Sequence, residues 1–173
     1  MNKLFIIFLC VVIVVAGLIL AYTFQCDLQS IKASKTLVEA IGNHDLLEVG
    51  RIINEYPDCV NTLPSFSPRW FQVIAEQPTV SYPLQRACWG GNYDIVKLLI
   101  ENGADCNLVW KGIEGSKTPL IRAVLSGSEN MTDILNILLE FGADKSIKDY
   151  RGKTAYDYAK ELGYINLVDL LQP

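Results

Sequence analysis

The sequence is poor in the groups that chemistry usually needs, with a single histidine, His44, among 173 residues. A general base or an imidazole-rich metal site has little to draw on. The five cysteines are irregularly spaced and form neither a CxxC pair nor a Cys/His grouping, which argues against a zinc site and against a disulfide framework. No tract of five or more basic residues occurs, and the 15 Lys and Arg are scattered among 19 Asp and Glu for a net charge of −4 and a pI near 5.0. Such a chain has no evident means of tracking phosphates, so nucleic acid is not expected as a partner. A G-x-S-x-G elbow, a Walker loop and an H-E-x-x-H helix are also missing. These gaps point away from an enzyme and away from cofactor, metal or small-molecule substrate. A Cys/His pair built on His44 is the one catalytic arrangement left open, although a lone histidine beside Asp45 in a helical pattern reads more simply as a turn or surface residue.

What is present begins with the N-terminus, where Leu4 to Tyr22 runs for 19 residues without a charge. At about 1.5 Å per helical residue this approaches the roughly 30 Å of a bilayer core. It accounts for much of the mean hydropathy of +0.23, and the remainder has the composition of one ordinary domain. The apolar residues surround every face, so the segment reads as a transmembrane anchor or a signal sequence, not as an amphipathic core helix. Lys3 provides a basic start for either fate. Cleavage after Ala16 or Gly17 would place Val14 or Val15 at the −3 position, which is tolerable, while cleavage after Ala21 would place Ile19 there, which is poor. The length of the apolar run favours retention. Lys3 favours a cytoplasmic N-terminus, leaving the C-terminal domain outside the cytoplasm, periplasmic in a bacterium. The alternative is a secreted or periplasmic protein after signal cleavage.

Behind this segment the chain repeats itself. Three blocks align: Tyr82–Asn107, Thr118–Ser146 and Thr154–Leu171, with Pro83, Pro119 and Ala155 spaced 36 residues apart. Each opens with Thr or Tyr before Pro or Ala, which suits a helix start. Small residues follow at Ala87 and Cys88, Ala123 and Val124, and Ala159, allowing adjacent helices to approach closely. Ile95, Val96, Leu98 and Leu99, then Ile134, Leu135, Ile137, Leu138 and Leu139, recur at helical spacing, and Gly103 and Gly142 fall where those helices should end left-handed. A weaker copy, Leu37–Asn61, keeps Ala40, Asp45, Leu46, Val49, Ile52 and Ile53, and its DCVN echoes the later GADCN.

The TPL of Thr118–Leu120, IVKLLIENGAD of Ile95–Asp105, ILLEFGAD of Ile137–Asp144 and DYRGKT of Asp149–Thr154 resemble the ankyrin repeat. The resemblance covers about residues 36–173 and implies an all-α solenoid of about four helix–turn–helix units, preceded by one hydrophobic transmembrane or signal helix. The organisation expected is an anchor or signal at 1–26, a linker at 27–35 and the repeat domain at 36–173. Within that domain, 36–61 is a degenerate N-terminal repeat, 62–81 an insertion loop, and 82–107, 118–146 and 154–173 the repeats.

Three departures from the repeat length mark places where function could be added. The longest, residues 62–81, contains three prolines and the aromatics Phe66, Trp70 and Phe71, which either tuck onto the first repeats or form part of an interface. A second adds three residues around Trp110-Lys111-Gly112 at a turn tip. A third, Ser128–Asn130, separates two paired helices and carries the sequon Asn130-Met131-Thr132, which is better ascribed to chance.

Ankyrin resemblance further implies binding through the turn tips and the exposed, concave side of the first helices. Trp89, Leu125 and Glu161 occupy that place in successive repeats, while Trp110, Glu114 and Lys117, then Tyr150, Arg151 and Lys153, lie on the turns; Trp70 lies in the long insertion. Trp89, Trp110 and Tyr150 on one strip would form an anchor cluster of the kind interfaces use. The function expected is a non-enzymatic protein-binding module held at or exported across a membrane through residues 4–22. One concrete form is an immunity protein neutralising a secreted toxin. The alternative is a membrane-anchored adaptor or scaffold.

Overall fold

The computed structural model describes residues 29–62, 81–112 and 115–172, which form a row of antiparallel helix pairs with one small β-hairpin. The expected membrane or signal segment at 4–22 lies outside the described residues, as do Trp70, Phe71 and Glu114. Among the described residues no helix is long and apolar enough to cross a membrane.

The first pair is α1, residues 29–42, and α2, Leu46–Glu55, followed by a 3₁₀ turn at Pro57–Asn61. Helix α1 starts within the stretch expected as a linker, 27–35. The reason is visible in its spacing: Ala33, Leu37, Ala40 and Ile41 fall on one helical face and are all buried. Ser34 is buried beside them, its hydroxyl donating to the Thr62 carbonyl. The next pairs are α3, Pro83–Gly90, with α4, Tyr93–Glu101; α5, Pro119–Ser126, with α6, Met131–Glu140; and α7, Ala155–Glu161, with α8, Ile165–Leu171.

Local chemistry sets these boundaries. Pro83 and Pro119 occupy first helical turns, where a missing N–H costs nothing. The side chains of Asp45, Asn92 and Thr118 accept backbone N–H groups of Glu48, Ile95 and Ile121, and Thr154 forms a reciprocal capping box with Asp157. Helices α3 and α5 close on left-handed Gly91 and Gly127. Gly103 and Gly142 follow α4 and α6 at φ 84° and 85°, as their place in the repeat predicts.

The core is one continuous apolar layer. First helices stack in the order α3, α5, α7, and second helices in the order α2, α4, α6. Ala87, Cys88, Ala123, Val124 and Ala159 are fully buried between first helices, and their small size permits the close approach. Ile95, Val96, Leu99, Ile134, Leu135 and Leu138 fill the layer beneath. Each large aliphatic buried in this way stabilises the fold by about 1.5–3 kcal/mol relative to exposure.

Polar contacts join one repeat to the next. Asn61 donates from Nδ2 to the Gly103 carbonyl and accepts the Asp105 N–H at Oδ1, both at 2.8 Å. Asn107 does the same for Gly142 and Asp144, at 2.9 and 2.7 Å. The first repeat is therefore docked on the second in the same way as the second on the third, although the long insertion separates the first two in sequence.

The hairpin is the one β element among the described residues. Strands β1, Trp110–Gly112, and β2, Gly115–Lys117, pair antiparallel with Trp110 opposite Lys117 and Gly112 opposite Gly115. The three extra residues expected at this turn tip supply the length for strand pairing, so the finger is a β-ribbon in an otherwise helical plan. Its base is tied to α3 by Gln85, which is buried and donates from Nε2 to the carbonyls of Leu108 and Lys117, both at 2.8 Å.

Candidate functional site

The first helices bury their small residues inward, which leaves a row of larger side chains on the opposite side. Arg86, Arg122 and Tyr158 stand immediately before the buried alanine of each repeat; Arg86 is partly exposed, while Arg122 and Tyr158 are themselves buried. Trp89, Leu125 and Glu161 stand two positions after it, so each is an i, i+3 neighbour of the first set on its own helix.

Trp89 is 45% exposed, and the Arg122 guanidinium of the next repeat lies 5.4 Å from its ring centroid. That is cation–π distance. One repeat earlier the same step recurs with glycine in place of tryptophan: the Arg86 guanidinium reaches across to Gly42, 3.3 Å from where a Cβ would sit. Leu125 is partly buried and packs against the core, so its role is largely structural. Glu161 is exposed and paired with Lys153 at 2.6 Å.

The last turn is built around Asp149. Its Oδ2 accepts the Tyr158 hydroxyl at 2.6 Å, and its Oδ1 accepts the backbone N–H groups of Arg151 and Lys153 at 2.8 and 3.0 Å. Burial acts to raise the Asp149 carboxyl. The bonds from Tyr158, Lys153 and Arg151, with the charge of Lys117, outweigh it and hold the carboxyl below its ordinary value. Burial, followed by the Asp149 bond and charge, pushes the Tyr158 phenol up to about 12. Lys153 lies 5.5 Å from the Tyr158 ring centroid, and Arg151 packs 5.1 Å from that of Tyr150 while donating from Nε to its Oη at 2.6 Å. Tyr150 is 57% exposed.

The structure thus brings Lys153 to Glu161 and Arg151 to Tyr150, and places Trp89 under Arg122. The backbone of Trp110 pairs with that of Lys117 at the base of the hairpin. Sequence reasoning overlooked Arg86, Arg122, Asp149 and Tyr158. A signal existed in the Arg-Ala dipeptide at 86–87 and again at 122–123, but attention fell on the residue after the small pair and not on the one before it.

At the opposite end of the helices an open cleft of about 400 Å³ is lined by His44, Gly91, Asn92, Tyr93, Asp94, Asn130 and Asp133. His44 occupies a left-handed turn at φ 58°, is exposed, and places Nδ1 3.1 Å from Asn92 Nδ2. The lining has no serine or cysteine to act with it. The described cysteines, Cys59, Cys88 and Cys106, are free and buried, and burial is the leading cause that raises each thiol, Cys59 to about 11. None is poised as a nucleophile.

Stacked helix pairs, left-handed glycine stops and asparagine bridges between units define a helical repeat protein. The chain belongs to the ankyrin-repeat family: the family model for ankyrin repeats in three copies matches residues 84–173. Two ankyrin repeat proteins of Acanthamoeba polyphaga mimivirus are similar to it, one at 32% identity over 53% of this chain and 11% of its own length, the other at 34% over 46% of each. A protein of Arabidopsis thaliana named as an E3 ubiquitin-protein ligase is 34% identical over 52% of this chain and 23% of its own length. The chain therefore spans less than half the length of these curated relatives. Ankyrin repeats are protein-interaction modules, and this chain carries such a module.

Proposed function

We propose that this ankyrin domain acts without catalysis, binding a partner protein on the first-helix face, and that residues 4–22 hold it at a membrane or direct it across one. The observation that carries the binding reading is the half-exposed Trp89, its ring packed against the buried Arg122 guanidinium, since tryptophan is among the residues most enriched at interface hot spots. Tyr150 and Arg151 at the last turn, with Lys117 at the base of the hairpin, extend the same surface. The membrane reading rests on the charge-free run of 19 residues.

A photo-crosslinking residue in place of Trp89 in the full chain, compared with one in place of Asp133 at the short turns, tests the face. Selective capture of one protein from the Trp89 position supports it, and equal capture from both positions overturns it. Fractionation with alkaline carbonate extraction tests the anchor, which is rejected if the intact, uncleaved chain partitions with soluble cytoplasmic protein. In the neutralising version the partner is a secreted toxin, and a fragment cleaved of the anchor still binds and inhibits it. In the adaptor version the anchor is indispensable.

A further inference from the structure

Asn130-Met131-Thr132 is the one Asn-x-Ser/Thr triplet in the chain, although ten asparagines gave room for others. The triplet by itself argues little, but the place the fold gives it argues more. Asn130 ends the short turn between α5 and α6, on the side of the helices away from the β-hairpin, and both Asn130 and Thr132 are exposed. Met131, between them, packs against the core.

Asn130 also differs from the other described asparagines in what its side chain does. Asn61 and Asn107 each engage both Oδ1 and Nδ2 on the turn of the next repeat, and Asn92 accepts the Ile95 N–H at Oδ1 while Nδ2 meets His44. Asn130 stands at the N-cap of α6 without a side-chain capping bond, and its Nδ2 donates to the Gly91 carbonyl at 3.1 Å. A primary amide has two N–H groups, so one can be replaced by a bond to a sugar while the other still donates to Gly91. Beside it the open cleft of about 400 Å³ presents His44, Asn92, Asp94 and Asp133, all able to hydrogen-bond hydroxyl groups, together with Tyr93.

Resting on the reading that the repeat domain lies outside the cytoplasm, we propose that Asn130 is an acceptor for an N-linked glycan in a eukaryotic secretory pathway, with the first sugar seated at the mouth of this cleft. The donor class is a lipid-linked oligosaccharide diphosphate, presented by the host's transferase. The Asn130 amide nitrogen forms a bond to C1 of the first sugar, the C1–O bond to the diphosphate breaks, the lipid diphosphate leaves, and the amide gives up one proton. The sugar then meets polar side chains and water, so no polar group is buried without a partner. The glycan covers the short-turn side and leaves the hairpin and the last turn, 149–153, open to a partner protein.

The test expresses the full chain in a eukaryotic cell line, extended after Pro173 by a peptide that carries a second Asn-Gly-Thr triplet, and digests it with peptide N-glycosidase. Two glycans are expected, read as two stepwise losses of mass on partial digestion. Asn130→Gln and Thr132→Ala should each leave only the glycan of the extension, and Thr132→Ser should keep both. Without the extension, the chain glycosylated at Asn130 should have a urea midpoint in non-ionic detergent equal to or above that of the same chain made in bacteria without a glycan.

A single glycan, on the extension alone, overturns Asn130 as an acceptor while the domain's place outside the cytoplasm stands. No glycan on either triplet overturns that placement and the acceptor with it. A glycan at Asn130 that lowers the urea midpoint overturns the seat in the cleft.

Discussion

The side-chain Oδ1 of Asn107 accepts the backbone N–H of Asp144 at 2.7 Å across 37 positions of sequence. With the Nδ2 bond to the Gly142 carbonyl, one amide satisfies a donor and an acceptor on the turn of the next repeat. Asn107→Ala removes both bonds and leaves that turn to water. The expected loss is about 1–3 kcal/mol of unfolding free energy, read as a shift in urea midpoint at unchanged slope. Asn61→Ala should cost a similar amount. A negligible effect at both positions would mean that apolar stacking alone fixes the repeat spacing.

Gln85 supplies a second prediction. Both of its Nε2 bonds, to Leu108 and Lys117, tie the base of the β-ribbon to α3. Gln85→Leu keeps the bulk and removes the donors, so the finger should loosen while the helices stay folded. Amide hydrogen exchange is expected to accelerate in the strands at 110–112 and 115–117, with little change in α5 or α6. Uniform acceleration along the chain would show instead that Gln85 supports the core as a whole.

The Asp149–Tyr158 pair makes stability depend on pH at both extremes. Asp149 has its pKa lowered in the folded state, so its contribution is present above the ordinary carboxylate value near 3.9 and is lost as pH falls through the lower folded value. Tyr158 has its pKa raised to about 12, so its contribution is full below the ordinary phenol value near 10 and is lost as pH climbs from there towards about 12. Tyr158→Phe should flatten part of the alkaline limb and cost about 1–3 kcal/mol at neutral pH, since a buried bond to a charged acceptor is removed. An alkaline limb identical in the variant would place its origin in other groups.

How much of this was legible in the sequence depends on whether the signal was local. Gly103 and Gly142 could be placed because a helix end that turns left-handed favours glycine whatever surrounds it. Ala87, Ala123 and Ala159 could be placed for the same kind of reason, since close helix approach admits only small residues. The β-ribbon was less visible: Trp110 to Lys117 is a short, glycine-containing stretch whose pairing follows from the length of the turn and the tether of Gln85. Arg122 was missed because its contact, Trp89, belongs to another repeat. Helical periodicity within one block cannot show a stack formed between two. Helix α1 was foreshortened because its early turns hold few apolar residues, Ile31 and the small Ala33, and a serine buried against Thr62, a contact made 28 positions away.

Trp89 and Gly91 are two residues apart and should respond to alanine in opposite ways, which separates a surface made for binding from one made for folding. Trp89 is 45% exposed, and its main described contact is the Arg122 stack, worth about 0.5–1 kcal/mol at an exposed site. Trp89→Ala should therefore cost no more than about 1 kcal/mol of stability. Gly91 is buried at φ 67°, and Ser128 already fills the space that a Cβ there would need. Gly91→Ala meets both backbone strain and a collision with the loop before α6, so about 1–3 kcal/mol or more is expected. Chemical denaturation of the two variants side by side decides the matter. A Trp89→Ala loss above about 2 kcal/mol would class the indole with buried core residues, and its half-exposed ring would no longer need a partner to explain it.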